Sequence, residues 1–306
     1  MLASILKYLK KADDEELKIV SYFKRKAPPM ASRPVTDNVW ESLMAHADVR
    51  VPFTRIFGLL YRMAPSMFVV EHKDVNLRKR DHWLDPEKDR SLFVHNFRQA
   101  ARIMSGVNVE IFALKTEEAP HPPGLAIALT RPTSIIAYKQ MFMDDKQKNL
   151  LFFIGRQLAM VRPEFILACA LPYVELENLL IAACQLAEPN FNPECGDLKG
   201  IERARTGLKR ALTDSGLSMV QRAVADHLKE PTKYNLKRWV EGVEHSVNRA
   251  GLVVCNDLGV ALSTLRSEQG GLTSMRPIQR FRELLVFASG PEYLSLRETI
   301  GLSVSG

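Results

Sequence analysis

Asn149-Leu-Leu-Phe-Phe-Ile-Gly-Arg-Gln-Leu-Ala-Met-Val-Arg162 is the segment from which the rest of the chain can be interpreted. Its apolar stripe recurs at helical spacing and consists of Leu150, Ile154, Leu158 and Val161. Asp144 and Asp145 precede the segment, where acidic residues favour an N-cap and a first turn. Pro163 follows it, where a helix ends. The sequence therefore predicts a buried helix over residues 144–161.

The middle of this predicted helix, Gly155-Arg-Gln-Leu-Ala-Met-Val161, resembles the active helix of zinc metallopeptidases. In the motif G-H-E-L-x-H, two histidines at i and i+4 share one face and bind zinc, and the glutamate is the general base. Arg156 stands at the first histidine, Gln157 at the glutamate and Met160 at the second histidine. Arg156-Gln157-Leu158-Ala159-Met160 therefore keeps the framework and lacks the catalytic side chains.

A second motif, Val243-Glu-His-Ser-Val-Asn-Arg-Ala-Gly251, supports this interpretation. It resembles the E-x-x-x-D-R-x-G/A helix of gluzincin metallopeptidases, the group that includes CAAX prenyl endopeptidases and the bacterial protease HtpX. By this resemblance, Glu244 corresponds to the third zinc ligand and Asn248 replaces the aspartate that braces a ligand histidine. Arg249 is kept. Similar soluble bacterial domains often follow tetratricopeptide repeats.

The resemblance covers roughly residues 90 to 300 and implies a zincin-like domain whose zinc site is lost. Zinc requires His, Cys or carboxylate ligands, whereas Arg156 is permanently cationic and Met160 suits softer metals. Gln157 has no proton equilibrium near neutral pH and cannot serve as a general base. We therefore expect no metal, no other cofactor and no enzymatic activity. The alternative interpretation is that both helices are ordinary core elements and that Arg156 is a surface residue.

The lost metal leads to a prediction about what replaces it. In the zincin framework, the positions of Arg156 and Glu244 face each other across the metal. A buried, unpaired Glu244 would be costly, and a guanidinium matches a carboxylate bidentately. We therefore expect a direct Arg156–Glu244 ion pair between the two helices, with Gln157 or Asn248 completing its hydrogen bonds.

Element patterns along the chain predict an α+β protein that is mostly helical. Helices are expected at 36–64, 91–105, 144–161, 164–171, 173–187, 197–213, 215–229, 233–268, 275–289 and 291–300. Strands are expected at 107–111, 125–130 and 134–138, so that a small sheet precedes the former active helix. Residues 1–34 are interpreted as a helical arm and linker that docks on a partner or on its own core. Residues 35–306 form the zincin-like domain, with a lead-in at 36–90 and a core at 91–306.

Composition favours a soluble, reduced protein. The chain has 306 residues, 46% of them apolar and 25% charged, which is ordinary for a globular protein. Its four cysteines, Cys169, Cys184, Cys195 and Cys255, show no C-x-x-C spacing, so we expect free thiols in the cytoplasm. Apolar runs such as 165–174 are shorter than the roughly 20 residues that a membrane span needs.

A basic region supports a second class of function. Between Asp197 and Arg238 there are ten Lys and Arg residues against five acids, which accounts for +5 of the formal charge of +7. The candidate face for an anionic partner consists of Lys199, Arg203, Arg205, Lys209, Arg210, Lys233, Lys237 and Arg238. Such a face would contact nucleic-acid phosphates.

Three functions are consistent with the sequence. The favoured one is a noncatalytic scaffold or protein-interaction module in a bacterial assembly, with other proteins as partners. The alternative is a basic helical nucleic-acid-binding protein. The third is a hydrolase whose site no known motif reveals.

Overall fold

Two buried helices cross in the computed structural model, Gln147–Met160 and Leu236–Cys255. The described residues are 2–26, 30–78, 82–105, 107–115, 117, 119, 124–143, 146–193, 197–230, 235–268 and 270–303. Glycines allow the close approach at the crossing. A Cβ on Gly155 would lie 2.8 Å from the Val254 Cβ, and one on Gly251 would lie 2.8 Å from the Phe152 ring. The two motifs found in the sequence therefore meet at this crossing.

The helical elements follow the predicted order. In chain order they are α1 (Leu2–Tyr8), α2 (Asp14–Lys26), α3 (Asp37–Val39), α4 (Pro52–Met63), α5 (Leu92–Ile103), α6 (Lys139–Met143), α7 (Gln147–Met160), α8 (Ile166–Ala170), α9 (Tyr173–Ala187), α10 (Leu198–Ala211), α11 (Asp214–Leu228), α12 (Leu236–Cys255), α13 (Leu258–Ser267), α14 (Pro277–Ser289) and α15 (Pro291–Thr299). A π-helical segment (Trp40–Met44) and 3₁₀ segments (Ala47–Val49, Pro65–Met67 and His72–Val75) complete them. The prediction of a mostly helical α+β protein is confirmed. No helix in these ranges combines the length and apolar character needed to cross a membrane.

The strands form one mixed four-stranded sheet. They are β1 (Trp83–Leu84), β2 (Val109–Leu114), β3 (Leu125–Ala128) and β4 (Thr133–Tyr138), in the order β1-β2-β4-β3. β2 and β4 are parallel, and both edge strands are antiparallel to their neighbours. Successive side chains alternate between faces, so Ile111 and Ile135 join the main core while Phe112 and Ile136 join a smaller core with Leu77. The sheet therefore precedes α7 in the chain, as predicted.

Two predicted helices are divided in the structure. The helix expected at 36–64 is interrupted because Pro52 has no N–H for a preceding turn and instead occupies the start of α4. The helix expected at 233–268 ends at Cys255 because Asn256 adopts a left-handed conformation with φ of 47°. Asp257 then caps α13 by accepting from the Val260 N–H. The capping role assigned to Asp144 and Asp145 lies outside the described residues.

The N-terminal arm contributes to the main core through its first helix. Ile5 is buried, and the Tyr8 ring lies 5.9 Å from the Phe281 ring on α14. On α2, Leu17 and Ile19 remain 37% and 48% exposed. Docking of the arm on its own core is therefore seen for α1. Docking of α2 on a partner stays a prediction.

Candidate functional site

The residues predicted from the zincin resemblance lie in the interior, on the facing sides of α7 and α12. Arg156 is 4% exposed and Gln157 7%, whereas Glu244 and Asn248 are completely buried. Met160 is half-buried. The alternative of a surface Arg156 is therefore wrong. A buried guanidinium and a buried carboxylate need compensating partners.

The partner of Arg156 is Glu268, which follows α13. The Arg156 Nη1 donates to the Glu268 Oε1 at 2.8 Å. No ion pair within 4.0 Å joins Arg156 to Glu244 in the described part of the chain, so the predicted direct pair is wrong. The physical reason is that the segment after α13 supplies a second carboxylate, Glu268, which pairs with Arg156 instead.

Arg280 on α14 connects the two carboxylates. Its Nη1 donates to the Glu268 Oε2 at 2.9 Å, and its Nε lies 3.5 Å from the Glu244 Oε1. The same guanidinium donates to the carbonyl oxygens of Gly270 at 2.6 Å and Met275 at 3.1 Å. Only 1% of Arg280 is exposed. The charges thus alternate in the order Arg156, Glu268, Arg280, Glu244 and sum to zero, and these four residues are called the ion-pair cluster below.

Thr273 holds the Oε2 of Glu244, whereas the Oε1 that faces Arg280 has no hydrogen-bond partner in the described part of the chain. The Thr273 N–H donates to the Glu244 Oε2 at 3.0 Å, and the Thr273 hydroxyl donates to the same oxygen. Burial raises the pKa of Glu244, although the Thr273 hydrogen bonds and the charges of Arg280 and Arg156 oppose the rise. Glu244 is therefore held by a loop threonine and an arginine that neither sequence motif contains.

Gln157 and Asn248 do not complete the pair as predicted. Neither donates to or accepts from Arg156 or Glu244 within the described residues. Both side-chain polar atoms of Asn248 are buried without a hydrogen-bond partner there. Asn248 lies one helical turn after Glu244, which places the two side chains on the same face of α12.

The groups around the ion-pair cluster define what chemistry is available there. Among the described residues there is no group of three or more His, Cys, Asp or Glu side chains arranged to hold a metal. Burial and the nearby Glu244 raise the pKa of the Cys169 thiol, which keeps it protonated and unreactive. The two clefts found in the described part of the protein have no cluster residue in their walls.

Sequence reasoning missed a second polar cluster, on another face of α12. Arg249 donates from Nε to the Glu283 Oε1 at 2.9 Å and lies over the Phe287 ring. The His245 Nδ1 lies 3.6 Å from the Glu283 Oε2, and the His46 and His245 rings are 4.9 Å apart. The sequence signal that could have indicated this cluster was Arg249, which belongs to the second motif. These contacts join the segment before α4, α12 and α14.

Acid should weaken this second cluster. Burial lowers the pKa of His46 to about 4 and that of His245 to about 3, from 6.5. In the unfolded chain, both histidines bind a proton as the pH falls below about 6.5, whereas in the folded protein they stay neutral to lower pH. The stability that depends on the neutral histidines is therefore complete above pH 6.5 and is lost as the pH falls towards 4. Burial raises the pKa of Glu283, which acts in the opposite direction. We expect the free energy of unfolding to fall between pH 6.5 and about 4.

Denaturant titrations across this pH range measure the effect. The double variant His46→Gln, His245→Gln should flatten the dependence, whereas His95→Gln on α5 should not, because His95 is exposed and lies outside this cluster. An unchanged slope in the double variant would contradict the assignment.

The predicted basic face is divided between two helices. Lys199, Arg203, Lys209 and Arg210 are exposed on α10, where Arg205 pairs with Glu202 at 2.5 Å. Lys237 and Arg238 occupy the first turn of α12, and the Arg238 Nη2 lies 3.1 Å from the Asp48 Oδ1. Lys233 lies outside the described residues. The structure therefore supports a shorter cationic stripe on α10 than the sequence predicted.

Comparison with known proteins adds no relative, because no protein-family model, curated protein or solved structure matches this chain. The functional proposal therefore depends on the geometry of the chain itself.

Proposed function

We propose that the protein is a noncatalytic, metallopeptidase-like domain that acts as a protein-interaction module or scaffold. The observation that carries the proposal is the ion-pair cluster between α7 and α12. Arg156, at the position of the first ligand in the motif, pairs with Glu268, and Glu244, at the position of the third ligand, pairs with Arg280. In this proposal, the two arginines supply the positive charge that a dication would supply in a metallopeptidase framework.

The buried position of the cluster supports the same proposal. A metallopeptidase keeps an open coordination position for water and substrate, whereas Glu244 and Asn248 are fully buried. Gln157, at the position of the general base, has no acid–base chemistry to offer near neutral pH. The two helices thus have a structural role here, and function belongs to the surface that they support.

Metal analysis and a peptidase assay test the noncatalytic part of the proposal. Purified protein should contain no stoichiometric zinc after dialysis and should not cleave a mixed peptide substrate, with or without added zinc. About one zinc per chain that survives dialysis, or cleavage that a chelator abolishes, would contradict it.

The stripe on α10 favours a second candidate function, nucleic-acid binding. Lys199, Arg203 and Arg210 repeat on one helical face and form no ion pair with another described residue. Binding to duplex DNA or RNA should then weaken steeply with salt. It should also fall in an Arg203→Gln, Arg210→Gln variant. Binding that is independent of salt and of these arginines would exclude this candidate.

A further inference from the structure

A cleft of about 1160 Å³ lies between α4 and the turn that follows α7. One wall comes from α4 and includes Arg55, Leu59 and Arg62. The opposite wall includes Val161 and Arg162, which directly follow α7. The cleft is larger than most small-molecule pockets, which measure about 300–1000 Å³. It contains none of the ion-pair cluster and is therefore a separate feature.

The charges of the cleft do not cancel. Arg162 is neutralised by the Asp37 Oδ1 at 2.8 Å and the Glu164 Oε1 at 2.5 Å, and its guanidinium lies 4.5 Å from the centre of the Trp40 ring. The remaining lining charges are three arginines, Arg50, Arg55 and Arg62, against one carboxylate, Glu41. With Arg162, Asp37 and Glu164 included, four arginines face three carboxylates, so the cleft keeps a surplus of one positive charge, four minus three.

Two of these arginines are open to a ligand. Arg55 and Arg62 are exposed, and neither forms a hydrogen bond or an ion pair within 4.0 Å with another described residue. The charge of Arg55 contributes to the lowered pKa of Asp226, but the Asp226 Oδ1 is itself paired with Lys229 at 2.9 Å. Arg50 already donates to the carbonyl oxygens of Ser42 and Ala45.

The spacing of the two open arginines sets the length of a matching ligand. Arg55 and Arg62 are seven residues apart on α4, which corresponds to about 10.5 Å along the helix axis. An extended polyproline-II segment advances about 3.1 Å per residue with three residues per turn, so carboxylates three residues apart lie on one face and cover about 9.3 Å, close to the same distance.

Apolar side chains between and opposite the arginines suit the rest of such a ligand. Leu59 lies between them on α4, and Val107, Val161 and Met219 also line the cleft. Met219 is 40% exposed, which leaves apolar surface for a partner side chain to cover.

We infer that this cleft binds an extended acidic segment of a partner protein, with two carboxylates three residues apart on Arg55 and Arg62. This inference rests on the proposed interaction role and gives it a site and a class of partner. A nucleic acid fits less well, because its phosphate backbone would find no polar contact on Leu59, Val161 and Met219, the apolar side chains that line the cleft beside the two open arginines.

Binding of defined peptide pools tests the inference. The first pool consists of labelled peptides of about nine residues with two glutamates three residues apart and mixed uncharged residues elsewhere. The second pool carries glutamine at both positions. Fluorescence anisotropy with the full-length protein should show binding of the glutamate pool and at least about tenfold weaker binding of the glutamine pool.

Variants of the cleft locate the binding site. Arg55→Gln and Arg62→Gln should each weaken the glutamate pool about fivefold, and both variants should fold because the side chains are exposed. Arg282→Gln is the matched control, since Arg282 is exposed on α14 and outside the cleft. It should leave the affinity unchanged.

Three results would overturn the inference. They are equal affinity for the two pools or no binding of either, unchanged affinity in the Arg55 and Arg62 variants, and binding of a duplex oligonucleotide that Arg55→Gln abolishes. If peptide binding fails, the expected metal and peptidase results are unaffected. Stoichiometric zinc, in contrast, would overturn the noncatalytic role without affecting peptide binding.

Discussion

Replacing Arg280 with methionine is expected to lower the free energy of unfolding by about 3–5 kcal/mol, the cost of removing one partner from a buried ion pair. Arg280 is the shared cation of Glu244 and Glu268, so its loss leaves Glu244 without its ion-pair partner and Glu268 with Arg156 alone. It also removes the donors to the Gly270 and Met275 carbonyl oxygens. Denaturant unfolding monitored by circular dichroism measures the loss.

Two controls separate this effect from a general weakening of α14. Arg282→Met, on the exposed side of the same helix, should change stability by no more than about 0.5 kcal/mol. Adding Glu244→Gln to Arg280→Met should recover part of the loss, because it removes the carboxylate that lost its counterion. A loss below about 1 kcal/mol for Arg280→Met, or no recovery in the double variant, would contradict the role of the cluster.

Replacing Gly251 with leucine should cost about 3 kcal/mol through overpacking at the crossing of α7 and α12. A Cβ at this position would lie 2.8 Å from the Phe152 ring and 2.9 Å from the Arg156 Cγ. Both neighbours belong to α7, so the added side chain would push the helices apart and displace Arg156 from Glu268. This cost of overpacking is expected to exceed the gain in intrinsic helix propensity, which favours leucine over glycine by up to about 1 kcal/mol.

Gly259 on α13 provides the matched control. A Cβ there would meet nothing closer than the Asp257 Oδ1 at 3.4 Å, so Gly259→Leu should be neutral or mildly stabilising. The two variants are compared by the midpoint and slope of denaturant unfolding. Equal stability of Gly251→Leu and Gly259→Leu would show that the crossing is not as close as described.

The existence and order of the main helices could be predicted because the sequence signals for a helix are local. Helical spacing of apolar residues predicted α5 and α7, and the structure adds a cap at Ser91, whose hydroxyl accepts from the Val94 N–H. The break at Asn256 was missed because a left-handed asparagine leaves the apolar period of the flanking helices intact. Local patterns thus predict which elements exist better than where they end.

The site could be predicted only in part. The two motifs correctly identified Arg156 and Glu244 as buried residues on facing helices. They did not identify Glu268, Thr273 and Arg280, which follow α13 or lie on α14, because no spacing rule connects those positions to α7. A buried charge requires a partner, but burial alone does not say which of several charged residues supplies it.

The most direct measurement is zinc binding by a variant that carries the zinc-binding motif at the three matching positions of α7. The variant carries Arg156→His, Gln157→Glu and Met160→His and keeps Glu244. The introduced histidines would lie at i and i+4 on α7, and in a zincin framework both would reach a metal shared with Glu244 at about 2.0–2.2 Å. The incoming dication would replace the positive charge of Arg156.

After refolding with zinc and dialysis, elemental analysis should find about one zinc per chain in this variant and none in the unaltered protein. Adding Glu244→Gln should abolish the retention. A folded variant that retains no zinc, or retention that survives Glu244→Gln, would contradict the claim that α7 and α12 form a metallopeptidase framework whose metal has been replaced by ion pairs.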